Sequence, residues 1–380
     1  MSDFSQSAAM IAPAIIQWQR VHGRNSLPWQ NSRDPYRVWL SEIMLQQTQV
    51  ATVLPYYGEF LEAFPSVQSL ANASLDEVLA RWAGLGYYSR ARNLHACARA
   101  VMEKWAGQFP DSSEALETLP GIGRSTAAAI AAFCFGERSA ILDGNVRRVF
   151  CRYFGIEGDP GSGATQKVLW QAAQQALPCT QQMAREPDSM QRYTQGLMDL
   201  GATVCTRSRP DCPACPIRSG CRALATNRVV SLPAPRARRV RPEREFHLLL
   251  MIRQDSVLLT RRPDKGIWAS MWSLPAAQSK DALLQDTSLQ NTLRRNSQQT
   301  NPDDLLQSGN SLQKMAAFSH DLTHFRMILN PWKMDLPASF DISCANTNPD
   351  PDYAWVDRHT IDRYGIPAPI LPLIQACLHG

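Results

Sequence analysis

The chain has 380 residues, more than one hydrophobic core usually organises, so two folding units are expected. With 44% hydrophobic and 19% charged residues and no run of about 18 apolar residues, the composition is globular and excludes a membrane span. A formal net charge of +5 permits an anionic partner such as nucleic acid without requiring one.

Met1 to Ala14 lacks the basic flank and apolar core of a secretory signal, which predicts a cytosolic protein. In that compartment ten cysteines read as metal ligands or small buried hydrophobes rather than disulfides. From Ile11 to about Ala225 apolar residues recur every three or four positions, the period of helices, and no strand is predicted. Asp34 and Pro35 open a helix running through Trp39 and Ile43 to Gln47, with Asp34 as N-cap and Pro35 where a missing N–H costs nothing. Glu42 then sits mid-helix among Trp39, Leu40, Ile43, Met44 and Leu45, which predicts a desolvated carboxyl of raised pKa.

A further helix is expected from Asp111, with Glu114 completing a capping box, up to Leu119-Pro120-Gly121. Another begins near Ser125. The turn between them carries Gly121 and Gly123 ahead of a helix N-terminus, where free N–H groups can face a phosphate. Taken alone, such a Gly-x-Gly turn is more often only a turn. Ile141-Leu142-Asp143-Gly144-Asn145-Val146 puts a second carboxylate at a helix start, where capping keeps Asp143 ionised.

Cys205, Cys212, Cys215 and Cys221 follow as C-x6-C-x2-C-x5-C, stiffened by Pro210, Pro213 and Pro216. Four thiolates at this spacing suit an iron–sulfur cluster; a structural zinc site is the alternative, although zinc ribbons use two short C-x2-C pairs. Cys97, Cys134, Cys151, Cys179, Cys344 and Cys377 show no ligand spacing and are expected to be buried. Asn227 to Glu245, rich in Arg and Pro, reads as a basic linker. Beyond it, β-favouring runs at Phe246–Ile252, Val257–Thr260 and Met327–Leu329, with a helix after Ser279, predict a smaller α+β domain. The polar segment Gln285–Gln313 reads as solvated helix and loop.

The cysteine spacing, the Leu119–Thr126 hairpin with Asp143, and Trp39-Leu40-Ser41-Glu42-Ile43-Met44-Leu45-Gln46-Gln47-Thr48-Gln49-Val50 together resemble the endonuclease III and MutY helix–hairpin–helix glycosylases. The resemblance implies an all-α glycosylase domain with a [4Fe–4S] loop over residues 1–225, a linker over 226–244 and a Nudix-like α+β domain over 245–380. It implies a monomeric enzyme acting on double-stranded DNA, cutting out adenine opposite 8-oxoguanine or guanine, in a cytosolic, nucleoid-associated setting. Flipping is required because the reacting atoms lie inside the base stack. By the same resemblance Glu42 protonates the flipped adenine, Asp143 stabilises the sugar cation, and the four cysteines hold the cluster. Arg207 and Arg209, in the cysteine loop, are expected near the DNA backbone. Gln46, Gln47 and Thr48 fill the gap in the duplex, Tyr87 of Gly84-Leu85-Gly86-Tyr87-Tyr88 wedges beside the damaged base, and Gly121, Gly123 and Ser125 meet phosphate. Trp29, Leu45 and Gln195 belong to the adenine pocket.

Ser125 stands where lyases of this superfamily carry a lysine; a hydroxyl forms no Schiff base, nor do Arg147 and Arg148, so simple hydrolysis is expected. His247–Leu274 resembles the Nudix-like domain of MutY, but no Nudix box follows Leu274-Pro275, which implies recognition without pyrophosphate hydrolysis. Two segments compete for the Phe-Ser-His loop that touches 8-oxoguanine: Phe318-Ser319-His320 by spelling, and Leu322-Thr323-His324 by register with the following strand. A glycosylase/lyase for oxidised pyrimidines and a non-catalytic lesion sensor are the rival readings.

Overall fold

The computed structural model describes residues 2–30, 32–234, 240–296, 312–337, 340, 342 and 351–378, side chains being described from residue 6 and excluding 295 and 296. Cys344 and residues 297–311 of the polar segment lie outside this set. The chain divides into two compact units, Met1–Asn72 with Asn93–Arg238, and Ala73–Arg92 with Arg239–Gly380. The strip Ala73–Arg92, which sequence periodicity leaves within the helical part, therefore packs with the C-terminal residues.

The first unit is helical. Ile11–His22, Arg124–Phe135, Gly144–Phe154, Gly163–Gln175 and Ser189–Asp199 surround a core of Ile11, Ile15, Val146, Phe150, Tyr193 and Leu197. Ala127, Ala128, Ala129, Ala131 and Ala132 give the helix Arg124–Phe135 a run of small, buried side chains broken only by Ile130, which lets neighbouring backbones approach closely. Pro35–Leu45 starts as expected, with the Tyr36 N–H donating to Asp34 at 3.0 Å. It ends earlier than expected: Gln46 is the C-cap, and Gln47 turns left-handed at φ 58°. The helix before the hairpin is also shorter, Ser113–Glu117, and Ser112 rather than Asp111 caps it, accepting from the Ala115 N–H.

The second unit is built on an eight-stranded sheet among the described residues. Its strands are β1 (Glu243–Arg253), β2 (Ser256–Arg261), β3 (Trp272–Ser273), β4 (Ala276–Ala277), β5 (Leu312–Lys314), β6 (Phe318–Asp321), β7 (Arg326–Asp335) and β8 (Tyr353–Asp357). The order runs β3-β2-β1-β7-β5, with β8 on β2, β4 on β1 and β6 on β7. β1 starts at Glu243, two residues inside the expected linker, because Glu243 already pairs with Arg326 in a parallel ladder reaching Ile252–Asp335. That central strand is covered on both faces, which explains its unbroken Leu248-Leu249-Leu250-Met251-Ile252 run. Leu248, Leu250 and Ile252 meet Ile366, Ile370 and Ile374; Leu249 and Met251 meet Leu283, Leu289 and Leu293. Part of the polar segment is thus an anchored amphipathic helix, Thr287–Asn296, rather than a solvated one.

Candidate active site

Gln19, Arg24, Trp29, Gln30, Ser41, Glu42, Phe133, Gln191, Arg192 and Gln195 are among the residues lining a cleft of about 510 Å³ in the helical unit. That size lies within the range of ligand-binding pockets. Its wall comes from the Pro35–Leu45 helix, the turn before it, and one stripe of the Ser189–Asp199 helix. Trp29, buried, stacks edge-on against Tyr57 with ring centroids 5.2 Å apart. Leu45 is half-buried and is not part of the lining.

Glu42 is among the lining residues, and desolvation raises its pKa to about 8, the negative charge of Asp143 adding to the effect. Asp143 caps Gly144–Phe154, accepting from the Val146 N–H at 2.7 Å. Burial pushes its carboxyl above the usual range, against the pull of the Val146 and Asn145 amides and of Arg148 and Arg147. The expectation that capping alone governs Asp143 is therefore corrected, since desolvation outweighs the cap. The amides and two guanidiniums oppose that rise, so Asp143 has local support for its charge that Glu42 lacks.

A buried carboxylate, Asp199, fixes the far wall. It accepts from the Arg24 backbone N–H at 2.9 Å, from Arg24 Nε at 2.7 Å and from Gln195 Nε2 at 2.9 Å. Gln30 and Gln191 line the cleft, and Gln30 Nε2 and Gln191 Oε1 are buried with no hydrogen-bond partner among the described residues. Sequence reading missed these two, although Asp188, Gln191, Arg192 and Gln195 form a polar stripe at helical spacing that signals a hydrophilic cleft.

In the hairpin, Gly121 adopts φ +76°, and a Cβ there would lie 2.6 Å from Asn93 Cβ. Gly123 instead has φ −90° and open space around it, so nothing in the fold requires a glycine there. Ser125 Oγ accepts from the Leu142 N–H at 2.9 Å and so braces the segment leading to Asp143. Gln46 Nε2 reaches Thr126 Oγ1 at 3.4 Å, Gln47 is exposed, and Thr48 Oγ1 donates to the Gln46 carbonyl at 3.3 Å.

Cys205, Cys212, Cys215 and Cys221 line one small apolar chamber of about 30 Å³, and all four are free thiols. Burial drives Cys215 up to about 12, its three fellow cysteines contributing, and raises Cys221 as well. Such mutually crowded thiols fit a bound metal centre that takes their protons. Among the described residues no group of three or more His, Cys, Asp or Glu has the geometry to hold a single metal ion. The helix capped by Asp143 reaches this loop: Arg148 Nε donates to the Cys205 carbonyl at 2.8 Å, and buried Arg152 donates to the Thr206 and Arg207 carbonyls. Arg207 and Arg209 are exposed. Cys97 and Cys151 are buried as expected, Cys134 and Cys377 only partly, and Cys179 is exposed at a helix N-cap, which corrects the reading of it as a core residue.

In the C-terminal unit Tyr87 is 47% exposed and left-handed at φ 49°. Phe318, Ser319 and His320 are spent in the β6–β7 ladder, whereas Leu322, Thr323 and His324 form the connecting turn, with Thr323 and His324 exposed. No described helix is long and apolar enough to cross a membrane.

The helical unit thus combines a hairpin, a capping aspartate and a cleft-lining glutamate. Residues 40–175 match the HhH-GPD superfamily of base excision DNA repair proteins, and residues 247–376 match the NUDIX domain family. A thermostable thymine-DNA glycosylase shares the helical fold at TM-score 0.50 and 27% identity, over 58% of this chain and 98% of that one. The adenine DNA glycosylase of Buchnera aphidicola subsp. Baizongia pistaciae is 32% identical over 362 residues, 95% of this chain and 94% of its own. The Homo sapiens adenine DNA glycosylase is 37% identical over 317 residues, 69% of this chain and 56% of its own. This chain belongs to the adenine DNA glycosylase family.

Proposed function

We propose that the enzyme hydrolyses the N-glycosidic bond of adenine paired with 8-oxoguanine, or with guanine, in duplex DNA, as a monomer and without strand cleavage. What carries the reading is the buried Glu42 carboxyl in the cleft lining, its pKa raised to about 8, with the carboxylate of Asp143 near enough to add to that rise. Glu42 gives its proton to N7 of the flipped adenine, which makes the base a better leaving group as the C1′–N9 electron pair departs with it. Asp143 stabilises the cation left on the sugar until water adds at C1′ and loses a proton.

Gln30 Nε2 as a donor and Gln191 Oε1 as an acceptor suit the mixed donor and acceptor edge of adenine, with Trp29 as its apolar wall and Gln195 held by Asp199. Gln46, Gln47 and Thr48 fill the space the base leaves, and Gly123, with room for a phosphate oxygen, holds the backbone with Gly121 and Ser125. Among the described residues the cleft lining holds arginines and no lysine, and Ser125 is committed to Leu142, which favours hydrolysis over Schiff-base chemistry.

Cys205, Cys212, Cys215 and Cys221 would hold a [4Fe–4S] cluster, which supplies a structural anchor for the loop carrying Arg207 and Arg209 rather than chemistry on the base. Leu322, half-buried, with Thr323 and His324, exposed in the same turn, and Tyr87 face the damaged guanine. The test is single-turnover adenine release from an 8-oxoguanine duplex by wild type and Glu42→Gln. Equal release by both removes Glu42 as proton donor, and release of oxidised pyrimidines instead of adenine replaces the substrate.

A further inference from the structure

Tyr87 and the Leu322–His324 turn lie far apart in sequence yet belong to one packing unit. The strip bearing Tyr87 is fastened to the sheet at several places. Tyr88, next to the wedge and itself buried, accepts from the Ala368 N–H at 3.0 Å. Arg92 donates to the Ala269 carbonyl at 2.9 Å. Asp76 pairs with Arg261 at 2.8 Å, and Gly365 sits so close to Leu79 that a Cβ would come within 2.5 Å of Leu79 Cβ.

The Arg92 contact leads further. Ala269 lies between two left-handed residues, Trp268 at φ 53° and Ser270 at φ 61°, a backbone that bulky side chains rarely adopt. The Trp268 ring stands 6.2 Å from the ring of His320, one residue before Asp321, which closes the turn through Arg326 at 2.8 Å. The wedge strip, the strained Trp268–Ser270 loop and the lesion turn thus form a continuous series of contacts. Within the strip, buried Arg90 fixes the turn, its guanidinium 5.6 Å from the Tyr87 ring and 5.3 Å from the Trp82 ring while it donates to the Leu85 and Gly86 carbonyls.

We infer that Tyr88 and Arg92 are positioning residues that tether the wedge to the lesion-reading sheet, so that inserting Tyr87 and sensing the 8-oxoguanine are one event. This rests on the reading that Tyr87 and the Leu322–His324 turn face the damaged base. Without the tether, binding to an undamaged mispair changes little, while the extra affinity for 8-oxoguanine falls.

The full-length cluster-bearing protein is titrated with duplexes carrying a non-hydrolysable 2′-fluoro adenosine opposite 8-oxoguanine or guanine, and the ratio of the two Kd values is read. Tyr88→Phe, which keeps the ring, and Arg92→Met should each shrink that ratio by about three- to tenfold, as loss of one partly buried hydrogen bond would. Arg92→Lys should restore part of it, and Arg92→Met combined with His324→Ala should lose less than the product of the single effects. The saturating single-turnover rate on adenine opposite guanine should not move. An unchanged ratio in Tyr88→Phe and Arg92→Met, or an equal loss on both duplexes, overturns the tether if Tyr87→Ala and His324→Ala still shrink it. If those two also leave the ratio unchanged, the assignment of the lesion contacts falls first. Should Arg92→Met not fold, Tyr88→Phe decides.

Discussion

Glutamine in place of Glu42 preserves the shape of the side chain and removes its proton. At pH 7 a carboxyl with pKa about 8 is about nine-tenths protonated, whereas one at 4.5 would be about 0.3% protonated, so enclosure enriches the donor form about 300-fold. A positioned general acid contributes about 10²- to 10⁴-fold to a rate, and Glu42→Gln should lose that much. Single-turnover release from an adenine–8-oxoguanine duplex, followed from mildly acidic to alkaline pH, reads the effect. The donor is active when protonated, so the wild-type rate should hold steady below about 8 and fall above it; the glutamine variant should be slow and lack that limb. The substitution should act on stability in the opposite sense to its effect on rate. The folded chain keeps a proton that the unfolded chain releases above 4.5, so this contribution is fully present below 4.5 and is lost as pH rises through about 8. Glu42→Gln should therefore melt higher than wild type in alkaline buffer while excising adenine poorly. A variant rate near wild type, or an alkaline limb that survives the substitution, refutes the assignment.

Asp143→Asn keeps a good N-cap for Gly144–Phe154, so the melting temperature should barely change while the single-turnover rate falls about 10²- to 10³-fold through loss of the charge. Gly123→Ala should leave stability equal or about 0.4–1 kcal/mol better, because its φ is ordinary and its surroundings open, yet weaken binding to undamaged duplex in a titration. Gly121→Ala should instead destabilise the fold by about 1–3 kcal/mol in denaturant unfolding, given its left-handed backbone and the Asn93 contact. Cys215→Ala should abolish the iron and visible absorption of the purified protein and lower its melting temperature; a full complement of iron would refute the four-cysteine site.

Much of the site could be read because its signals are local. Asp34-Pro35, Asp143-Gly144 and the cysteine spacing each fix a short stretch of backbone, and the structure places them as capping and loop chemistry require. The acidity of Glu42 was legible from its apolar neighbours in one helix. What escaped depends on residues meeting across the chain. Gln30 and Gln191 matter only because a turn and a distant helix bring them to one cleft, and the burial that lifts Asp143 comes from packing around its cap. Spelling and position conflicted after Lys314: Phe318-Ser319-His320 matches by letters and lies in the β6–β7 ladder, whereas Leu322-Thr323-His324 matches by register and lies in the turn that follows. The Gln47 end of its helix was misjudged because apolar spacing continues to Val50 while the chain has already turned left-handed.

The strip Ala73–Arg92 gives the molecule an awkward anatomy. Severing the polypeptide in its arginine-rich joint would not release two finished proteins: the carboxyl-terminal piece would leave behind the residues that cover Gly365 and hold Ala269 and Ala368. During synthesis the same strip emerges early and waits, unpartnered, until the sheet that receives it has left the ribosome. Gene fusions or truncations designed at that joint inherit the debt.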